Sequence, residues 1–233
     1  MKNYFFYLLL FAHSFLWAQS PVSDDFLMGK FEPSQQLNFV RIAPKWLANE
    51  KIGEQLFFQK EAYDAFERMA DAAEKAGVKL RILSATRNFA QQKSIWEKKW
   101  AKLARKIPNA AQRAAKILEY SAMPGASRHH WGTDLDLNSL DNNSFLDGDG
   151  AKTHRWLVAH AADFGFFQPY TERSARRPHG YNEEKWHWSY APISDFLTQS
   201  CRQQLHNKML DGFSGAATAA ELQIIEKYVL VEH

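Results

Sequence analysis

One cysteine, Cys201, stands in 233 residues. A lone cysteine excludes an intramolecular disulfide and a thiolate metal cluster. Net charge is also small: 29 Lys and Arg against 26 Asp and Glu leave a formal +3, with the cations spread along the chain. That balance and spread give no electrostatic footprint for nucleic acid. Beyond residue 20 no stretch is apolar enough to span a bilayer, and no internal repeat is visible.

The one long apolar run lies at the start. MKNYFFYLLLFAHSFLWAQS has a single lysine, an apolar centre from Tyr4 to Trp17 broken by His13 and Ser14, and a small residue at Ala18. This is the layout of a secretory signal peptide, and it falls short of the ~20 apolar residues of a spanning helix. Residues 1–18 are therefore expected to be a signal peptide cut near Ala18, leaving a mature chain of formal charge +2 once Lys2 is lost. The exported protein is expected in the periplasm or cell envelope, without stable membrane insertion.

Residues 19–45, rich in Pro, Ser and Gly punctuation, are expected to be an extended lead-in. Residues 46–193 carry the elements of one domain, and 194–233 a helical tail. Ala62, Phe66, Met69, Ala70 and Ala73 recur at helical spacing over 59–75 before Gly77. A strand is expected at 78–83, helices at 90–104, 110–120 and 153–164, and a glycine-rich loop between 139 and 152. Over 133–138 and 185–190, apolar and polar residues alternate as in strands. Without a regular βαβ rhythm the fold class is α+β: helices packed on one face of a small, largely antiparallel sheet.

Alternation puts Leu135 and Leu137 on one face and Asp134 and Asp136 on the other; likewise Trp186 and Trp188 turn inward and His187 to the open face. His129 lies seven residues before Asp136, with Gly132 between them to reverse the chain. A His, Asp, His set leaves a coordination position for water, as in catalytic zinc sites, and zinc brings the pKa of such a water to about 7. Glu184, three residues before His187, is the candidate base. Strict alternation gives it the parity of Trp186, so a bulge or strand start has to turn it.

Ser127, His129, Gly132 and Asp136 fit S-x-H-x-x-G-x-x-x-D, and Glu184 to His187 fit E-x-W-H. SATRNFAQQ resembles S-G-Y-R-S-x-x-x-Q, aligning Arg87 and Gln92, and WLVAHAADFGF resembles W-x-x-x-A-x-x-x-G-F. In this order, over residues 80–190, the motifs resemble the zinc D-alanyl-D-alanine carboxypeptidase family of peptidoglycan peptidases. That fold group also holds the lysostaphin-like endopeptidases and the Hedgehog signalling domain. The resemblance implies one zinc ion on His129, Asp136 and His187, on the open face of the sheet, within a zinc peptidase domain over 46–193. It implies Glu184 as general base and acid, and Arg87 as partner of a substrate carboxylate or the developing oxyanion. Gln92 and Ser127 would line the cleft, and the substrate would be a peptidoglycan stem peptide. Alternatives within the class are an L,D-carboxypeptidase or an endopeptidase, and outside it a non-catalytic zinc-stabilised binding module.

Asp134, Ala85 and Pro169 depart from the family pattern, which often has a small residue, a glycine and an arginine there. Asp134 is expected to orient a histidine nitrogen, because a fourth protein ligand would close the site. His130 is expected to be a bystander. Asp147 to Gly150 lack the spaced acids and closing Glu of a calcium loop. An exposed Trp131 would be free to contact glycan or peptide.

Overall fold

The computed structural model describes residues 22–49 and 56–231, so the expected signal peptide lies outside the described residues. The chain begins with a single-turn helix α1 (Asp24–Leu27), then strands β1 (Phe39–Arg41) and β2 (Phe57–Gln59), which pair antiparallel. Helix α2 (Lys60–Lys75) follows and buries Ala62, Phe66, Met69, Ala70 and Ala73, the residues at helical spacing. Each fully buried Phe or Met stabilises by about 1.5–3 kcal/mol. Strand β3 (Ile82–Ser84) leads into α3 (Phe89–Leu103) and α4 (Ala110–Ile117). A capping box starts α3: Asn88 Oδ1 accepts from Gln91 N at 2.9 Å, and Asn88 N donates to Gln91 Oε1 at 2.9 Å. That cap, Asn88, directly follows Arg87 and fixes the start of α3.

Strand β4 (Asp134–Leu137), helix α5 (Gly148–His160), strands β5 (Phe166–Phe167) and β6 (His187–Tyr190), and helices α6 (Ala191–Gln204) and α7 (Ala219–Leu222) complete the strands and α-helices of the described residues. The central sheet has the order β3-β4-β6-β5, with every neighbouring pair antiparallel. Leu135, Leu137, Trp188 and Tyr190 pack with Phe66, Met69 and Leu157, from α2 and α5, in one core. This is the α+β class expected, with α2 and α5 against this face of the sheet.

Several local expectations differ. The lead-in is not extended: α1 and a 3₁₀ turn (Pro33–Gln35) interrupt it, and Leu27 and Met28 are buried. The stretch expected as a glycine-rich loop supplies the first turn of α5, where Gly150 sits so close to the Ser144 carbonyl that a Cβ would overlap it. A boundary after residue 193 would cut α6. The segment beyond it is not peripheral, because Leu197, Cys201, Leu205, Ile224 and Val229 join Leu27, Trp96, Ile117 and Trp131 in a second core. That second core stands on the side of the sheet opposite α2, so the face expected to be open is walled in. Asp134, Asp136 and His187 are only 0%, 5% and 3% exposed.

Candidate metal centre and active site

The register of β4 on β6 sets Asp136 opposite His187 and Asp134 opposite Ser189, with Leu135 opposite Trp188. Since side chains alternate along a strand, the leucines and Trp188 enter the first core and the polar four share the other face. His129 arrives from a 3₁₀ turn (Arg128–Trp131) that ends at Gly132, whose φ of 70° is left-handed. A Cβ at Gly132 would overlap the Phe39 ring, so both backbone and space require glycine there.

Hydrogen bonds decide which histidine nitrogens face the site. His129 Nδ1 lies 2.8 Å from the Ala85 carbonyl, which can only accept, so Nε2 carries the lone pair. His187 Nε2 lies 2.9 Å from Asp134 Oδ1, which leaves the Nδ1 lone pair facing inward. His129 Nε2 and His187 Nδ1 stand 3.3 and 3.1 Å from Asp136 Oδ1. Asp136 Oδ1 itself is buried without a hydrogen-bond partner. The ligand atoms of the three residues lie within 4.8 Å of one another. Two imidazole nitrogens and a carboxylate oxygen directed at one buried spot suit a divalent first-row metal, which would take the place of a proton on His187 Nδ1.

Asp134 accepts four hydrogen bonds. Besides His187, Arg128 Nε donates to Oδ1 at 3.1 Å, and Thr133 Oγ1 and Ser189 Oγ donate to Oδ2 at 2.6 and 3.0 Å. Burial alone would raise its pKa, but Arg128 and His187 outweigh burial and hold it below the carboxylate range. Asp136 is likewise held well below, its burial outweighed by the two histidines. Burial lowers the His129 pKa, helped by the Arg87 charge. For His187 burial is outweighed by its bonds to Asp134 and Asp136, which lift it to about 9.

Glu184 lies on the same side as the ligands because β6 starts only at His187. A turn precedes the strand, with His187 N donating to Glu184 O at 3.1 Å. Gln168 Nε2 donates to the carbonyls of Tyr170 and Glu184, and Asn142 clamps Glu183 and Lys185. Parity therefore does not apply to Glu184, and Trp186 lines the cleft rather than joining Trp188 in the first core. Glu184 Oε2 is 3.4 Å from His187 Nδ1. Burial raises its carboxyl to about 8, opposed by His187 and Arg87 and reinforced by Asp136.

A cleft of about 210 Å³ opens over these groups, and Arg87, Gln92 and Ser127 line it. Arg87 Nη1 reaches Ser84 Oγ at 2.5 Å and Asp136 Oδ2 at 3.6 Å, and Nε donates to Gln92 Oε1 at 2.9 Å. Gln92 is occupied at both ends, since its Nε2 donates to the Ala122 carbonyl at 2.8 Å. It braces Arg87. His130 is taken up by backbone, its Nδ1 on the Arg87 carbonyl and its Nε2 accepting from Gly125 N, and burial lowers its pKa to about 3. Trp131 is buried and donates to the Leu27 carbonyl, so it has no exposed ring to offer a ligand.

Sequence reasoning passed over Arg128, Lys99, Tyr170 and Tyr181, all of which line the cleft. For Arg128 a signal existed: opposite charges at 128 and 134 flank the Gly132 turn.

With this geometry in view, comparison with known proteins defines the class. The family model of the VanY type, D-alanyl-D-alanine carboxypeptidase, matches residues 55–193, more than half of the chain. The chain belongs to this family. It is 31% identical over 166 residues to YodJ of Bacillus subtilis, named as a carboxypeptidase, covering 70% of this chain and 56% of that protein. It is 30% identical over 123 residues to a D-alanyl-D-alanine carboxypeptidase of Enterococcus faecalis, covering 53% of this chain and 44% of the relative. The chain thus spans about half the length of these curated relatives. Among solved structures, VanYB in complex with D-alanine-D-alanine superposes with a TM-score of 0.54 at 24% identity, over 72% of this chain and 84% of that one. A mutant of the vancomycin-resistance D,D-pentapeptidase VanY in complex with Zn(II) gives 0.50 at 25%, over 70% and 89%.

Proposed function

We propose that this chain is an exported zinc carboxypeptidase of the cell envelope that hydrolyses peptidoglycan stem peptides, releasing D-alanine from D-alanyl-D-alanine ends. The observation that carries this reading is the convergence of His129 Nε2, His187 Nδ1 and the orphaned Asp136 Oδ1 in a cleft that also holds Glu184 and Arg87. Family membership and the Zn(II) complex of the VanY relative support zinc as the metal. The name of the Enterococcus faecalis relative supports the substrate.

His129, Asp136 and His187 would hold one zinc ion, which supplies Lewis acidity toward the scissile carbonyl and toward water. Glu184 takes a proton from the attacking water at its carboxylate and hands it to the leaving amine nitrogen. Arg87, braced by Ser84 and Gln92, presents its guanidinium to the carbonyl oxygen as negative charge develops there. Ser127 lines the same cleft as a hydroxyl donor. Asp134 keeps the His187 ring in the orientation that turns Nδ1 inward.

The test is mass spectrometry of purified peptidoglycan fragments incubated with zinc-loaded protein, with and without chelator. The expected product is a stem peptide shortened by one alanine, formed only when metal is present. Fragments left unchanged by protein that demonstrably holds zinc would point instead to a non-catalytic binding module. Export rests on residues 1–18, and a mature protein that retains them overturns that part.

A further inference from the structure

Arg128 is only 2% exposed, and its guanidinium meets three separate elements of the fold. Nε donates to Asp134 Oδ1 on β4 at 3.1 Å, Nη2 to Ser189 Oγ on β6 at 2.7 Å, and Nη1 to Thr198 Oγ1 on α6 at 3.1 Å. The Trp131 ring lies 4.7 Å from it and the Phe167 ring 5.7 Å. Thr198 Oγ1 donates its own proton to the Ser194 carbonyl at 2.7 Å, which leaves its lone pairs for the guanidinium.

These contacts run between the two candidate histidine ligands. Arg128 directly precedes His129 in the 3₁₀ turn, and the Asp134 oxygen that accepts Arg128 Nε also receives His187 Nε2 at 2.9 Å. A displaced guanidinium would therefore disturb the His129 turn and the His187 ring together. Strand β6 runs straight into α6, so His187 and Thr198 stand on consecutive elements. The family match ends at residue 193, short of Thr198, so the third contact comes from chain outside the matched region. A buried ion pair adds little net stability over apolar side chains of the same size. What it supplies here is direction, because a rigid planar fork with acceptors on three elements has one orientation.

We propose that Arg128 is a positioning residue of the metal centre, seated on Thr198, and that helix α6 thereby sets the metal affinity. Arg128 makes no hydrogen bond of its own to a candidate ligand; it acts on His187 through Asp134 and on His129 through the backbone. This rests on the reading of His129, Asp136 and His187 as the zinc ligands.

The test is zinc affinity by chelator competition on the whole chain, with the visible spectrum of the Co(II)-substituted protein as reporter of ligand geometry. Thr198→Val removes the hydroxyl at nearly constant shape. It should weaken zinc binding by about 3- to 10-fold, less than the roughly 10- to 100-fold typical of a group bonded directly to a ligand, and shift the Co(II) bands. Thr198→Ser keeps the hydroxyl and should bring both back toward the parent. In an Asp134→Asn background, where the link to His187 is already cut, Thr198→Val should lose no further affinity. A folded Thr198→Val that binds zinc within about twofold of the parent overturns the proposal. So does an equal loss in both backgrounds, or a loss that serine does not repair. If Thr198→Val fails to fold, Arg128→Lys replaces it, since a compact ammonium cannot span the three acceptors, and parent-like affinity there overturns the proposal equally. If the parent holds no zinc, the metal reading has failed. Nitrogen NMR of the imidazoles then decides the positioning role, which stands if Thr198→Val moves the His187 ring resonances and falls if they keep their parent positions.

Discussion

Asp134→Asn perturbs the candidate metal centre without touching a candidate ligand. In the parent, Asp134 Oδ1 receives His187 Nε2 at 2.9 Å and Arg128 Nε at 3.1 Å, all within residues at most 3% exposed. Asparagine keeps the shape and one acceptor but removes the charge and places an amide donor where Thr133 and Ser189 now donate. The His187 ring loses the partner that fixes its orientation, for which losses of about 10- to 100-fold in metal affinity are typical. At about 1.4 kcal/mol per tenfold that is roughly 1.4–2.8 kcal/mol. The assay is zinc competition against a chromophoric chelator, with zinc content and thermal unfolding measured on the same preparations. Asp134→Ala should be worse for the fold, because Arg128 would remain buried without its carboxylate, at a cost of about 3–5 kcal/mol. The double change Asp134→Asn with Arg128→Met removes both charges and should recover part of that stability while zinc binding stays weak. Zinc affinity within twofold of the parent in Asp134→Asn would refute the assignment of Asp134 as the group that orients His187.

Glu184→Ala should retain zinc yet lose about 10²- to 10⁴-fold in turnover; equal cleavage of a D-alanyl-D-alanine peptide by variant and parent sinks the base assignment. Chelation should lower the unfolding temperature, since zinc at a thousand times its Kd stabilises by about 4 kcal/mol, and identical melting with and without chelator speaks against a bound metal. Gly132→Ala forces a left-handed residue and a Cβ into the Phe39 ring, so urea unfolding should show a loss of at least about 1–2 kcal/mol. Cys201 is buried, and burial pushes its thiol up to about 12; a thiol reagent should label it readily only after unfolding, and rapid labelling of the native protein contradicts this packing.

Alternation in TDLDLN was enough to separate Leu135 and Leu137 from Asp134 and Asp136, and the register of β4 on β6 bears that separation out. It worked because a strand has a period of two whatever surrounds it. The same rule misled at Trp186 and Glu184, which it placed on the far side. A turn held by Gln168 and Asn142 ends the alternation at His187, and neither clamp is local in sequence to Glu184. The helix expected over 90–104 forms as α3, whereas the bracing of Arg87 by Gln92 and Ser84 required the strand and helix to meet.

By itself the sequence determined the α+β class, the amphipathic face of α2, the chain reversal at Gly132 and the shared face of Asp134, Asp136 and His187. These follow from short-range periodicity and from backbone freedom, which neighbours in the chain dictate. Only the tertiary structure decided that the polar face of the sheet is walled by a second core from the C-terminal segment. It likewise decided that Arg128 neutralises Asp134 and that Glu184 turns toward the candidate ligands. Each of these depends on groups dozens of residues apart packing against one another, and no local pattern encodes that meeting.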